Sequence, residues 1–363
     1  MNRATLLVHG GCAPRGDGVA DRAAPTPTAN RVAATPTDRE RDPSTVERLH
    51  RRLAELEGTE SALVLSSGAR ATRCTMLALL RAGDHLVASA WFYGDTRRFL
   101  EQELPTLGID VTFIDPTETR AWRRAIRPNT RVLFLESPVN PTTRVVDLRP
   151  ARVLAQAHGV ALVVDSTFAT PINCRPIEHG ADVVVHSTAH HLTGECDVLA
   201  GVVCGAQAVI DEVRAKMMVE GHAPDSRLLW LLDRGLKTLD IRLQRQNHNA
   251  MQIAQWAADH PAIRAVHYPG LSSHADHAWA ATTMDGFGSA LAIELAGGDA
   301  AVARTVARLA LFSASVTAGG VASTISDAPD IAAIRKTDGF LRLSVGVELA
   351  DDLIADLSHA LET

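Results

Sequence analysis

The sequence has almost no lysine. Of its 36 basic residues only Lys216, Lys237 and Lys336 are lysines, so any step that needs a primary amine has three candidates. The bias itself is genomic in character and says nothing about function. Basic charge is not in excess either. The net charge is -6, which gives no electrostatic footprint for nucleic acid or an anionic membrane. No stretch approaches the roughly 20 apolar residues of a spanning helix, and the opening "MNRATLLVHGG" has no long apolar run of the kind a signal peptide carries. The five cysteines (Cys12, Cys74, Cys174, Cys196 and Cys204) are odd in number and lack CxxC spacing. This favours free thiols in a reducing cytoplasm over a disulfide framework or a zinc ribbon, so a cytoplasmic location is expected. Long repeats and low-complexity tracts are also missing.

What is present is a globular composition, 46% apolar and 21% charged, in 363 residues, enough for two or three packed layers. From about residue 55 to 206, short apolar runs alternate with longer amphipathic ones. "SALVL", "DHLVAS", "DVTFID", "TRVLFLES", "VALVVDS", "DVVVHS" and "LAGVVCGA" are rich in β-branched residues and nearly continuous in apolarity. Strands buried on both faces read this way, which predicts an α/β fold with a mostly parallel seven-stranded sheet covered by helices. "GARATRCTMLALLRAG", "DTRRFLEQELPTLG" and "RPARVLAQAHG" have helical spacing and stop at glycine. After about residue 240 the mix changes to a long helix, "ALAIEL", further helices and "FLRLSVGVE", as in a smaller C-terminal α+β domain. The expected divisions are an N-terminal arm over 1–54, a large domain over 55–240 and the α+β domain over 241–363.

In such sheets ligands sit at the carboxyl ends of the strands. Ser66-Ser67-Gly68 lies between a strand and a helix, where free N–H groups and the helix dipole suit a phosphate. The same residues also serve as ordinary helix-capping chemistry. Asp165 ends the strand "VALVVD" and would cap the next turn or hold a protonated ring nitrogen by a charge-assisted hydrogen bond. Glu136 and Asn140 end "LFLESPVN" in the same way. Tyr93 beside Gly94 offers an aromatic face, although an aromatic in such a run is more often core.

Taken in this order and spacing, these motifs resemble the Cys/Met-metabolism branch of pyridoxal-phosphate enzymes, which includes cystathionine γ-synthase, cystathionine lyases and methionine γ-lyase. The resemblance runs over almost the whole chain. It is carried by "LLVHGG", "LAELEGTESALVLSSGARA", "ESPVNPTTRVVDL", "VVDSTFATP", "RGLKTLDIRLQRQNHNA", "YPGL", "GFGSALAIEL" and "FLRLSVGVE". It implies the fold-type I transferase architecture, a small-molecule substrate and a homo-oligomer, a dimer or tetramer whose sites are shared between subunits. By matching motif, Ser67, Gly68 and Ala69 would form the phosphate turn, with Ser187 also on phosphate. Tyr93 would stack on the ring, Asp165 would pair with its nitrogen, and Asn140 would lie near its hydroxyl. Arg342 would clamp a substrate carboxylate, with Thr317 nearby. Arg39 would reach the phosphate of a neighbouring subunit, while Thr37 stands where the family has tyrosine.

One family feature is missing. Where the family reads roughly His-Ser-x-Thr-Lys-Tyr-x-x-Gly-His, this chain has His186, Ser187, Thr188, Ala189, His190, His191, Leu192, Thr193, Gly194 and Glu195. The resemblance therefore puts His190 at the lysine that forms the Schiff base with the cofactor and then moves a proton at the substrate. Imidazole cannot make that link, but it can move protons near its ordinary pKa of about 6.5. With hydroxyls also lost at 189 and 37, two hydrogen bonds to phosphate of about 1.5–3 kcal/mol each are missing, very roughly a 10²- to 10⁴-fold loss of affinity.

Three functional readings follow. The first is an enzyme using non-covalent pyridoxal phosphate or pyridoxamine phosphate, with His190 as acid/base on an amino acid bearing a β- or γ-substituent or on a related carbonyl compound. The second is a non-catalytic relative that completes the site of an active paralogue or holds a ligand. The third takes His186, His190, His191, Glu195 and Cys196 as metal ligands, in a spacing that matches no established zinc pattern. Against all three stands a plain polar loop filling the space.

Overall fold

All seven apolar runs form strands of one sheet: β1 (Ser61–Leu65), β2 (His85–Ser89), β3 (Asp110–Ile114), β4 (Thr130–Glu136), β5 (Ala161–Asp165), β6 (Val183–Ser187) and β7 (Gly201–Gly205). The structure is a computed structural model and describes residues 3–9, 45–92, 94–326 and 338–362. The strand order is β1-β7-β6-β5-β4-β2-β3. Pairs β2–β3, β2–β4, β4–β5 and β5–β6 are parallel, while β7 runs antiparallel between β1 and β6. Helices cover both faces, which is why Val183, Val184 and Val185 are successive and all fully buried.

The helices end where local chemistry dictates. Ser67 caps the helix Gly68–Leu79 by accepting the Arg70 amide at 3.2 Å. The sequence pattern carries this helix to Gly83, but it stops at Leu79. There the Arg81 guanidinium takes the carbonyls of Leu77, Ala78 and Leu80, and the Arg81 amide turns to Asp84. The run 95–108 is not one helix. A short helix, Gly94–Arg98, passes into a π turn, Phe99–Glu103, and a 3₁₀ turn, Leu104–Leu107, because Pro105 cannot donate to the α ladder. Leu148–His158 ends on left-handed Gly159 as its pattern predicts.

A second sheet has the order β10-β11-β12-β9-β8, from β8 (Ile263–His267), β9 (Ala290–Leu295), β10 (Ser313–Ala314), β11 (Thr324–Ser326) and β12 (Phe340–Ser344). It is antiparallel except for β10–β11. The helices Leu239–Ala258 and Ala350–Leu361 pack Ile253, Leu353 and Leu357 onto Leu291, Ile293, Leu341 and Leu343. Each such fully buried side chain contributes about 1.5–3 kcal/mol relative to exposure.

Side-chain alternation fixes what the first sheet offers at its carboxyl edge. Val132, Phe134, Val163, Val183 and Val185 face Ala71, Cys74 and Met76 of the helix Gly68–Leu79. Two residues further along each strand, the same face carries Glu136, Asp165 and Ser187.

Candidate active site

The site begins where that helix meets β6. A Cβ on Gly68 would lie 2.7 Å from Ser187 Cβ and 2.9 Å from its Oγ, so glycine is required by close approach rather than by backbone angle. The Gly68 and Ala69 amides donate to no group among the described residues, and Ser187 brings a hydroxyl beside them. Two free N–H groups, a hydroxyl and the positive end of a 12-residue helix form an anion cradle.

Asp165 sits half-buried one strand away. Its Oδ1 accepts from the Thr167 amide (3.0 Å) and hydroxyl (2.6 Å), and the Thr167 oxygen accepts the Ser187 amide at 2.9 Å. Thr167 thus ties the carboxylate to the anion cradle. Burial pushes the Asp165 carboxyl above its ordinary range, against lowering contributions from Thr167 and His186. Its Oδ2 accepts no hydrogen bond from the described residues, and a protonated ring nitrogen there would relieve the cost of a half-buried carboxylate.

The loop after β6 contributes His190. Its Nδ1 lies 3.1 Å from the Ala318 carbonyl, and its ring centroid is 5.8 Å from that of Phe168. A carbonyl only accepts, so the proton sits on Nδ1 and Nε2 keeps a lone pair. Burial lowers the His190 pKa, opposed by the Ala318 bond and reinforced by the Arg342 charge. The imidazole is therefore neutral at neutral pH. His191 turns away and bonds Ser289 Oγ at 2.8 Å, its pKa lowered to about 3 chiefly by burial. Gly319 (φ 83°) allows this packing, because a Cβ there would come within 2.7 Å of His191. Arg242 holds the loop from below by donating to the His191 and Leu192 carbonyls.

From the second sheet comes Arg342, only 3% exposed. It donates to Asn140 Oδ1 at 3.1 Å and to the carbonyls of Ser315, Val316 and Thr317. Asn140 in turn donates its backbone N–H to Glu136 Oε1 at 3.1 Å. Ser67, Gly68, Ala69, Ser187, Asp165, Asn140, Arg342, Thr317 and His190 thus form one connected edge. Thr317 enters it through its carbonyl, while its hydroxyl bonds Ser315 Oγ at 2.7 Å. Tyr93 and Arg39 lie outside the described residues. Lys237 is exposed and pairs with Asp233 at 3.3 Å, and Lys216 lies on the helix Gln207–Glu220.

His186, His190 and His191 do not converge. His186 points to the other sheet face, where Nε2 meets Glu57 Oε2 at 2.9 Å, while His190 and His191 take separate partners. Among the described residues no three His, Cys, Asp or Glu side chains gather as a metal site. Three contributors were not singled out from the sequence: Thr167, Phe168 and the Ala318 carbonyl. Thr167 and Phe168 lie inside "DSTFATP", directly after Asp165, so a turn following that strand was the available signal. Nothing local marks Ala318, which arrives on the loop between β10 and β11.

An anion cradle at a helix N-terminus, a carboxylate one strand away and an arginine from a second sheet suit a phosphorylated pyridine, and the residues present fit pyridoxal phosphate. The fold is that of fold-type I pyridoxal-phosphate enzymes. The chain aligns with the crystal structure of metB from Corynebacterium glutamicum with a TM-score of 0.92 and 29% identity, over 99% of this chain and 98% of that one. The model for "Cys/Met metabolism PLP-dependent enzyme" matches residues 37–362. The chain is 37% identical to the L-methionine gamma-lyase of Pseudomonas putida over 330 residues, covering 88% of this chain and 83% of the relative. It is 36% identical to the cystathionine gamma-lyase of Bacillus subtilis strain 168 over 321 residues, covering 85% and 84%. The chain belongs to the Cys/Met metabolism family of PLP-dependent enzymes. No helix among the described residues is long and apolar enough to cross a membrane.

Proposed function

We propose that the chain is an enzyme of this family that works without a Schiff-base lysine. It holds pyridoxal phosphate or pyridoxamine phosphate non-covalently and uses His190 as the proton-transfer group. The substrate is an amino acid with a β- or γ-substituent, or a related carbonyl compound. The observation that carries this reading is the His190 hydrogen bond to Ala318, which leaves Nε2 as a neutral acceptor at the connected edge.

When bound, the cofactor supplies an electron-withdrawing ring that stabilises charge developing on the substrate carbon. The chain's residues do the rest. The Gly68 and Ala69 amides and the Ser187 hydroxyl hold the phosphate. Asp165 holds the ring nitrogen by a charge-assisted hydrogen bond. Carbonyls 315–317 orient Arg342, and its neutral partner Asn140 Oδ1 is replaceable by a substrate carboxylate, an acceptor roughly twice as strong. His190 Nε2 takes a proton from the substrate carbon and returns it, while Nδ1 stays on Ala318 and keeps the ring oriented.

The test is His190→Ala, screened with amino acids bearing β- or γ-leaving groups. Turnover is expected to vanish while cofactor binding stays nearly unchanged. Activity that survives the substitution removes His190 as the base.

A further inference from the structure

Glu136 has no role in the reading above, yet it sits in the middle of the site. It ends β4 directly opposite Asp165 of β5 in the parallel register, so the two side chains leave adjacent, paired positions on the same face. Neighbouring strands are about 4.8 Å apart, too close for a buried and a half-buried carboxylate to remain both charged without a cation between them. No arginine or lysine hydrogen-bonds or ion-pairs with either one among the described residues. Among the described residues the Asp165 carboxylate accepts only from Thr167, and Glu136 Oε1 only from the Asn140 backbone amide. The groups facing the pair are therefore Thr167, the Asn140 backbone amide and, one step beyond Asn140, Arg342, while His186 of β6 lies on the reverse face against Glu57.

We propose that Glu136 is a positioning residue: as the neutral acid it donates a hydrogen bond to Asp165 and fixes that carboxylate, as the pair's only charge, where a cofactor ring nitrogen would be held. Its other oxygen accepts the Asn140 amide, so the same side chain sets the loop that meets Arg342. One carboxyl then links the ring-nitrogen end of the site to the substrate-carboxylate end. Burial and the neighbouring Asp165 charge both push the Glu136 carboxyl well above its ordinary range, in agreement with this assignment. The coupling also matters for a chain whose cofactor has no covalent anchor, because a correctly oriented Asp165 carries a larger share of retention.

This inference rests on the proposed cofactor site, and the experiment separates the two. First, the infrared carbonyl region of the cofactor-free protein is compared between wild type and Glu136→Gln at neutral pH. Loss of a protonated-carboxyl band supports the neutral acid. Loss of carboxylate bands instead overturns it, whatever the cofactor does. Second, pyridoxal phosphate and pyridoxamine phosphate are titrated by absorbance into wild type, Glu136→Gln and Glu136→Ala. The glutamine amide can still donate to Asp165, so its affinity is expected within about threefold of wild type. The alanine variant is expected to lose about 10- to 100-fold, the equivalent of one hydrogen bond to a charged group. Equal affinities in all three proteins overturn the positioning role. Absence of binding in wild type removes the cofactor reading, and the infrared comparison still decides the state of Glu136.

Discussion

Gly68→Ala is the sharpest perturbation of the anion cradle. The new Cβ would meet Ser187 at Cβ (2.7 Å), Oγ (2.9 Å) and Cα (3.0 Å), all inside normal contact. Two of those atoms belong to the first segment of a strand-end side chain and the third to backbone, so no flexible tip can swing aside. Overpacking of this kind costs about 1–3 kcal/mol. Separating the helix from β6 would also move the Gly68 and Ala69 amides away from the Ser187 hydroxyl. We expect a lower chemical-denaturation midpoint and cofactor affinity weaker by at least about tenfold, the loss of one phosphate hydrogen bond. Ser187→Gly in the same background removes two of the three contacts. A double-mutant cycle should therefore show favourable coupling of about 1–2 kcal/mol. Wild-type stability in Gly68→Ala, or strict additivity with Ser187→Gly, would refute the packing argument.

Other expectations follow from the same geometry. Turnover should fall on the acid side with a midpoint below the ordinary histidine value of about 6.5, because His190 loses its Nε2 lone pair only as pH drops through its lowered pKa; a pH–kcat profile with a midpoint above that value contradicts the assignment. His191 titrates near 3, and His50 and His274 near 4, each lowered mainly by burial. The unfolded chain binds these protons first, so stability is full above about pH 6.5 and should fall by on the order of a few kcal/mol toward pH 3–4, read by urea unfolding across pH. Glu57→Ala should destabilise by about 1–3 kcal/mol because it leaves the buried His186 Nε2 without its hydrogen-bond partner, while Glu57→Gln should cost less; equal denaturation midpoints for the two variants would contradict this. Arg342→Lys cannot serve Asn140 and three carbonyls at once, so KM for the substrate acid should rise while cofactor affinity holds.

Much of the fold was legible because strands buried on both faces leave an unmistakable record of branched apolar residues. "VALVVD" and "DVVVHS" could hardly fold otherwise. The reversed direction of β7 was not legible, since an antiparallel strand buried on both faces has the same composition as its parallel neighbours. Helix ends were missed where side chains rather than glycine close them, as with Arg81. Residues at strand ends could be located as ends, but not as partners. Glu136 and Asp165 are 29 positions apart, and only the register places them opposite each other. The Ala318 carbonyl that sets the His190 tautomer comes from the loop between β10 and β11, 128 residues away in sequence. Contacts of that range depend on how two layers dock, and no local pattern records it.

The central claim is that this site holds its cofactor without a lysine link. The direct measurement is an absorbance titration of the purified protein with pyridoxal phosphate and, separately, pyridoxamine phosphate, followed by borohydride reduction and intact mass. The account predicts saturable binding of at least one form and no mass increment after reduction. A reduced adduct on Lys216, Lys237 or Lys336, or no binding of either form, would contradict it.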